Sequence, residues 1–474
     1  MLFNSFEYLI FLPLVFIAYW CLSNYRNLQN ILIVVASYIF YGWWDSRFLI
    51  LIFFTTMCSY FSGILIEKLR VKKLILCGNI IVNLAILGYF KYFNFFAAEL
   101  KSLLNVVFGY EADWSLVNVI LPVGISFYTF QALSYSIDIY KKKIKATTDI
   151  ISFTAFISFF PQLVAGPIER ATNLLPQFLS PRKFEPEDMT DGLRQILWGL
   201  FKKMIIADNC AFIANMVFKN YTEGNGSMLL IGAIAFTFQI YGDFSGYSDI
   251  AIGSARLFGI KLNQNFNMPY FSHSIAEFWR RWHISLNTWF TDYVYIPLGG
   301  SRCSKPRYIF NVFVVFALSG LWHGANWTFV LWGIYNGLLV CMHKVWSVST
   351  TAKSSKLTDF TSWLITFTLI VIGWIIFRAE TVSGAYDYLI SIVNKDLFSL
   401  PNFREVGISS IRMITTLLFI PILLIIEWAQ KDKRYVMDLQ NIRQRYARWA
   451  IYVITIFAII VFSGKQEMFI YFQF

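Results

Sequence analysis

Apolar residues run through this chain in blocks long enough to cross a bilayer, with short clusters of lysine and arginine between them. A spanning helix takes roughly 17–25 mostly apolar residues. Blocks at about 6–22, 28–44, 48–66, 74–93, 119–140, 363–377, 412–428 and 449–463 reach or approach that length and are expected to be helices. The short alternating segments of a membrane β-barrel do not occur. The pattern predicts an all-α polytopic membrane protein.

Charge then orients the expected spans. Met1 to Glu7 carries no Lys or Arg, whereas Lys68 to Lys73, Lys141 to Lys145, Lys353 with Lys356, and Lys431 to Arg448 are basic. Cytoplasmic loops collect Lys and Arg. With the N-terminus outside, each basic cluster falls on the cytoplasmic side, and the mixed charges Glu99, Lys101, Glu111 and Asp113 fall outside. The tail from Gly464 to Phe474 then also lies outside, which requires an even number of full crossings. The N-terminus lacks a basic leader and a small-residue cleavage site, so its first apolar block is expected to be a retained span.

The middle of the chain is interrupted. Phe160-Pro161 through Gly166-Pro167, Lys202-Lys203, and Asp243 through Asp249 break the apolar runs. Irregular backbone at membrane depth survives only when buried in protein or lining a cavity, so broken or re-entrant helices around a site are expected here. The expected layout is a single integral-membrane domain over 1–474: N-terminal spans 1–150, a core 151–345, C-terminal spans 346–463, and a tail 464–474.

Composition narrows the function classes. Charged residues make up 14% of the chain, against about 25% in ordinary soluble proteins. The net charge of +12 sits in loops beside the spans, where it meets anionic lipid rather than nucleic acid. Cys21, Cys58, Cys77, Cys210, Cys303 and Cys341 stand singly, so neither a disulfide framework nor a metal cluster is expected.

The chemistry concentrates on two of the four histidines. His323 stands in Gly320-Leu321-Trp322-His323-Gly324-Ala325-Asn326-Trp327, inside a run from Ile309 to Val340 without Asp, Glu, Lys or Arg. Ionisable side chains at membrane depth are costly and are read as functional by default. Imidazole also exchanges a proton near neutrality. The small neighbours allow two readings: close helix packing, or room for a substrate walled by Trp322, Asn326 and Trp327. His283 lies in Glu277-Phe278-Trp279-Arg280-Arg281-Trp282-His283, which as one helix would put Trp279, Trp282, His283 and Leu286 on one face. Arg280 and Arg281 would meet either lipid phosphates or a phosphate-bearing donor.

Two further segments stay open. Tyr241 to Asp249, with Asp243, Tyr247 and Asp249, is either a hydrogen-bond network supporting a broken helix or part of the site. The apolar ending from Gln466 to Phe474 either packs at the interface or reaches inward. Tyr471 is eight residues beyond Ser463. An extended tail of that length covers about 26 Å, more than the roughly 15 Å to mid-membrane.

These motifs together resemble the membrane-bound O-acyltransferase superfamily, and most closely its bacterial alginate and polysaccharide O-acetyltransferase branch. The resemblance runs through Met1 to Ser5, Phe160 to Arg170, Gly199 to Asn209, Gln239 to Asp249, Glu277 to Gly300, Leu321 to Gly337 and Phe469 to Phe474. It implies a ring of tilted and re-entrant helices around a central funnel, in a bacterial cytoplasmic membrane. It implies acetyl-CoA as a donor substrate with no bound cofactor, and a polysaccharide acceptor reached through an extracytoplasmic partner of the SGNH serine-hydrolase type. The family's signature histidine falls on His323 and its second on His283. His323 would be general base, and His283 would position the donor or polarise its carbonyl. Tyr471 would accept the acyl group in one version and only dock the partner in another. A sister branch, the teichoic acid D-alanyl transferases, shares both histidines and takes its acyl group from a carrier protein.

Overall fold

The computed structural model describes residues 1–109, 119–164, 166–349, 355–401, 403, 407–431, 433, 435–439 and 442–472. Glu111, Asp113, Ala165, Lys353, Gln473 and Phe474 lie outside the described residues. Among those described, the regular structure is helical throughout, and six helices are long and apolar enough to cross a membrane. The chain forms two compact units, Met1–Met189 with Ser254–Asn263, and Thr190–Gly253 with Gln264–Phe474.

The first unit holds α1 (Phe6–Cys21), α2 (Arg26–Gly42), α3 (Leu49–Lys68), α4 (Lys72–Phe108), α5 (Ile125–Tyr140), α6 (Ile150–Ser158), α7 (Phe160–Leu163) and α8 (Ala171–Leu179). The hydrophobic blocks locate α1 to α5 well, but α4 continues far past the expected end near residue 93. Polar residues such as Asn94, Glu99 and Lys101 lower hydropathy without breaking a helix. The break comes at Gly109, whose left-handed φ of 61° lets its N–H cap Asn105. The interruption expected at Phe160-Pro161 takes the form of a break between α6 and α7, and within α7 Gln162 donates its amide to Gln131 at 2.7 Å.

The second unit carries α9 (Pro186–Phe201), a π-helical turn (Lys202–Ala207), α10 (Asp208–Lys219) and α11 (Gly226–Leu257), which extends into the first unit at its end. Two short helices follow, α12 (Ile275–Arg281) and α13 (Ile284–Phe290), and then the hairpin α14 (Lys305–His323) and α15 (Trp327–Ser349). Next come α16 (Lys356–Arg378), α17 (Val382–Asn394), α18 (Ser410–Ala429) and α19 (Arg445–Phe462). Glycines set the closest approaches. A Cβ on Gly199 would stand 2.6 Å from the Gly246 carbonyl oxygen, and one on Gly246 2.8 Å from that of Gly199, so α9 and α11 touch backbone to backbone. None of α19 is buried in protein, so its apolar surface needs lipid.

Candidate functional site

His323 ends α14, where the chain turns through extended Gly324 into α15. The hairpin closes tightly because a Cβ on Gly320 would collide with the Phe329 carbonyl oxygen, and one on Gly333 with that of Phe316. The imidazole is 4% exposed. Around it stand Trp322, Trp332, Phe377 and Tyr471, with ring centroids at 5.1, 5.0, 5.3 and 5.6 Å.

The segment carrying His283 is not the single helix its spacing suggests. His283 adopts φ 45° and ψ 53° and separates α12 from α13. That conformation is uncommon outside glycine. It persists because the backbone there is tied down. Ile284 N–H donates to the Asn265 carbonyl at 2.9 Å, and the Asn287 amide caps the Trp279 and Trp282 carbonyls at 2.6 Å each. The break aims His283 into the core, where it is 1% exposed.

The tautomer of His283 follows from its partners. Asn265 Oδ1 lies 3.1 Å from His283 Nδ1 and also accepts the Ser285 backbone N–H at 3.3 Å and the Ser285 hydroxyl at 2.9 Å. A backbone N–H can only donate, so the atom facing it is the amide oxygen. His283 must therefore donate from Nδ1, which leaves a bare lone pair on Nε2. Nε2 is buried and has no hydrogen-bond partner among the described residues. Burial pushes the imidazole pKa down to about 3, so the ring is neutral. Neutral His283 thus carries its proton on Nδ1 and presents the lone pair of Nε2. It can accept a proton or a hydrogen bond there.

The two histidines share neighbours. Trp322 is 5.7 Å from the His283 ring and 6.3 Å from Tyr471, while Phe244 is 4.6 Å from both His283 and Tyr471. The C-terminal tail thus runs inward and sets a phenol among the rings surrounding both imidazoles. Asp243 accepts the Ile470 N–H at 2.7 Å, and the Tyr247 ring lies 4.5 Å from Phe469.

The other predicted residues have partners of their own. Trp282 is 1% exposed and packs on Phe266 and Trp374 at 5.0 and 4.9 Å. Arg281 pairs with Glu277 at 2.8 Å, whereas Arg280 is exposed. Asp249 pairs with Lys202 at 2.6 Å and accepts from Gln195 at 2.8 Å. Asn326 Oδ1 accepts the Thr328 N–H, and its Nδ2 donates to the Glu380 carbonyl. Trp327 is 54% exposed. A narrow polar cleft of about 30 Å³, lined in part by Lys202, Tyr241, Asp249, Asn265 and Glu427, reaches the amide that holds His283. It has room for about one water.

Asn265 and Lys203, like Trp332 and Phe377 around His323, are residues the sequence did not single out as site members. Asn265 sits in an ordinary polar loop with no spacing signal. Lys203 reads only as an interruption, yet it is 1% exposed and lies 2.8 Å from Asp208 and 2.7 Å from Asp243. Burial lowers its pKa, but the two carboxylates outweigh that and hold it charged.

The profile of the membrane-bound O-acyltransferase family matches residues 141–382, the stretch that carries both histidines. A Pseudomonas aeruginosa protein named probable alginate O-acetylase AlgI is 39% identical, over 88% of this chain and 80% of its own. The peptidoglycan O-acetyltransferase of Helicobacter pylori is 31% identical, over 98% of this chain and 95% of its own. The teichoic acid D-alanyltransferase of Bacillus subtilis is 29% identical, over 56% of this chain and 70% of its own. With its buried histidine pair inside the matched stretch, the chain belongs to the membrane-bound O-acyltransferase family and is a multi-pass membrane acyltransferase.

Proposed function

We propose that this protein takes an acetyl group from cytoplasmic acetyl-CoA and hands it, through Tyr471, to an SGNH-type partner that O-acetylates a polysaccharide outside. The setting is a bacterial cytoplasmic membrane, with both termini on its outer side. The observation that carries the reading is the tail's inward course, which brings a phenol 5.6 Å, ring to ring, from His323. A phenol with an ordinary pKa near 10 needs a base to become a nucleophile.

His323 removes the Tyr471 Oη proton as that oxygen attacks the thioester carbonyl carbon. The C–S bond breaks, and the proton passes to the departing thiolate. The acetyl ester on Tyr471 then transfers to a hydroxyl of the partner and restores the phenol. His283 accepts a hydrogen bond from the donor at Nε2 and so fixes its approach. General acid–base catalysis of this kind contributes about 10²–10⁴-fold.

A D-alanyl group on a carrier protein is the second donor to consider, given the likeness to the Bacillus subtilis transferase. The acetyl reading rests on likenesses that cover more of the chain. Purified protein offered labelled acetyl-CoA or labelled D-alanyl carrier, with the partner present, separates the two. Acetyl transfer in wild type that is lost in His323→Ala at equal folded yield supports the reading. Transfer of D-alanine alone replaces it.

A further inference from the structure

Beyond the two histidines, the second unit buries a charged triad, Lys203, Asp208 and Asp243, which grips the C-terminal tail by its backbone. The Lys203 ammonium donates to the Glu467 carbonyl at 3.0 Å while lying between the two carboxylates. Asp243 spends one oxygen on Lys203 and the other on the Ile470 N–H, at 2.7 Å. Beside them the π-helical turn offers the Met204 carbonyl to the Gly464 N–H at 2.9 Å, and Asn209 donates to the Phe462 carbonyl at 2.8 Å. Four main-chain groups between Phe462 and Ile470 are therefore fixed by one short stretch, Lys203 to Asn209, and by Asp243. Gly464 has no room to change, since a Cβ there would stand 2.8 Å from the Asp208 carbonyl carbon.

The chemistry is specific to a peptide segment. A buried cation between two carboxylates is a poor way to stabilise a core, because apolar residues of the same volume usually do as well or better. Here the charges face main-chain groups of the tail, and charge-assisted bonds of that kind are stronger and more directional than neutral ones. The last of them holds the amide immediately before Tyr471. Aromatic contacts continue the grip: Tyr247 lies over Lys203 at 5.5 Å and against Phe469 at 4.5 Å.

We propose that Lys203, Asp208 and Asp243 are positioning residues that hold the tail in register and so set where the Tyr471 phenol stands beside His323. The positional claim stands on geometry alone, and its catalytic consequence rests on the Tyr471 reading above.

The test uses the full-length protein in detergent. Asp243→Asn removes charge with little change of shape. The triple variant Lys203→Met, Asp208→Leu, Asp243→Leu removes the whole triad without leaving an unpaired buried charge, so it keeps the test alive if single variants fold poorly. Hydrogen exchange read by mass spectrometry over residues 464–472 is the first measurement, and carboxypeptidase trimming of the tail is the second. We expect tail amides to exchange at least about tenfold faster for each charge-assisted bond removed. We also expect trimming past Tyr471, and a lower kcat for acetyl transfer with the KM for acetyl-CoA unchanged. A tail that stays protected in the folded triple variant overturns the proposal. If wild type transfers no acetyl while tail protection still depends on the triad, the clamp stands and the acetyl reading falls.

Discussion

Asn265→Ala probes the site without touching either histidine. The substitution deletes the oxygen that receives His283 Nδ1, the Ser285 N–H and the Ser285 hydroxyl. The hydroxyl can rotate to another acceptor, but the ring N–H and the backbone N–H cannot follow. Two buried donors left unsatisfied at about 1–3 kcal/mol each amount to roughly 2–6 kcal/mol. Part of that cost falls on stability. The rest is released when the ring turns, which aims the Nε2 lone pair elsewhere, or changes tautomer, which puts the proton on Nε2. Misplacing a donor by about 1 Å, once the acceptor that fixes its approach is lost, costs about 10²-fold in rate. The assay is single-turnover acetyl transfer beside folded yield by size exclusion. We expect kcat to fall about 10²-fold, with folded protein still recoverable. Asn265→Asp keeps an acceptor at the same place, so it should recover part of the rate. Its carboxylate stabilises imidazolium and should move the acid limb of the pH–rate profile upward. Asn265→Ala within about threefold of wild type, or Asn265→Asp no better than Asn265→Ala at any pH, would refute the reasoning.

Other outcomes follow from the same structure. Tyr471→Phe removes one hydroxyl from a tail whose backbone grip is elsewhere, so acetyl transfer should fall about 10²-fold or more while thermal stability stays put; undiminished transfer ends the relay. Gly320→Val forces a side chain onto the Phe329 carbonyl and should cost at least about 1–3 kcal/mol of stability, seen as a lower detergent unfolding temperature. Trp282→Ala opens a cavity in a packed aromatic cluster and should destabilise by about 3–5 kcal/mol, which an unchanged unfolding temperature would deny. The pH dependence has a fixed sign. The folded His283 pKa is about 3 against an ordinary 6.5, so between those values the unfolded chain binds a proton that the folded one refuses. Stability should therefore decline as pH falls through that window, and His283→Gln should decline less between pH 7 and 5 as judged by unfolding temperature.

The sequence was most legible where hydrophobicity alone decides. The blocks for α1 to α5, α16, α18 and α19 predict helices that form, because apolar length and helical hydrogen bonding leave little choice in lipid. The end of α4 was not legible, since hydropathy falls well before the chain meets its glycine cap. His323 could be found as an isolated titratable group in an apolar run. The break at His283 could not, because it depends on Asn265 and Asn287 acting from other turns. The length of the tail allowed Tyr471 to reach inward, but only the fold reveals the buried lysine that draws it in. Long-range polar contacts of this kind leave no periodicity, so sequence reading recovers the scaffold and the imidazoles but not what aims them.

The most direct test of the account is the mass of the C-terminal peptide after brief exposure to acetyl-CoA with no partner or acceptor present. Without a partner hydroxyl, the acetyl group should remain on Tyr471 in wild type and be absent in His323→Ala at equal folded yield. A tail that never carries acetyl, in a protein that transfers it normally once the partner is added, would contradict the relay at the centre of this account.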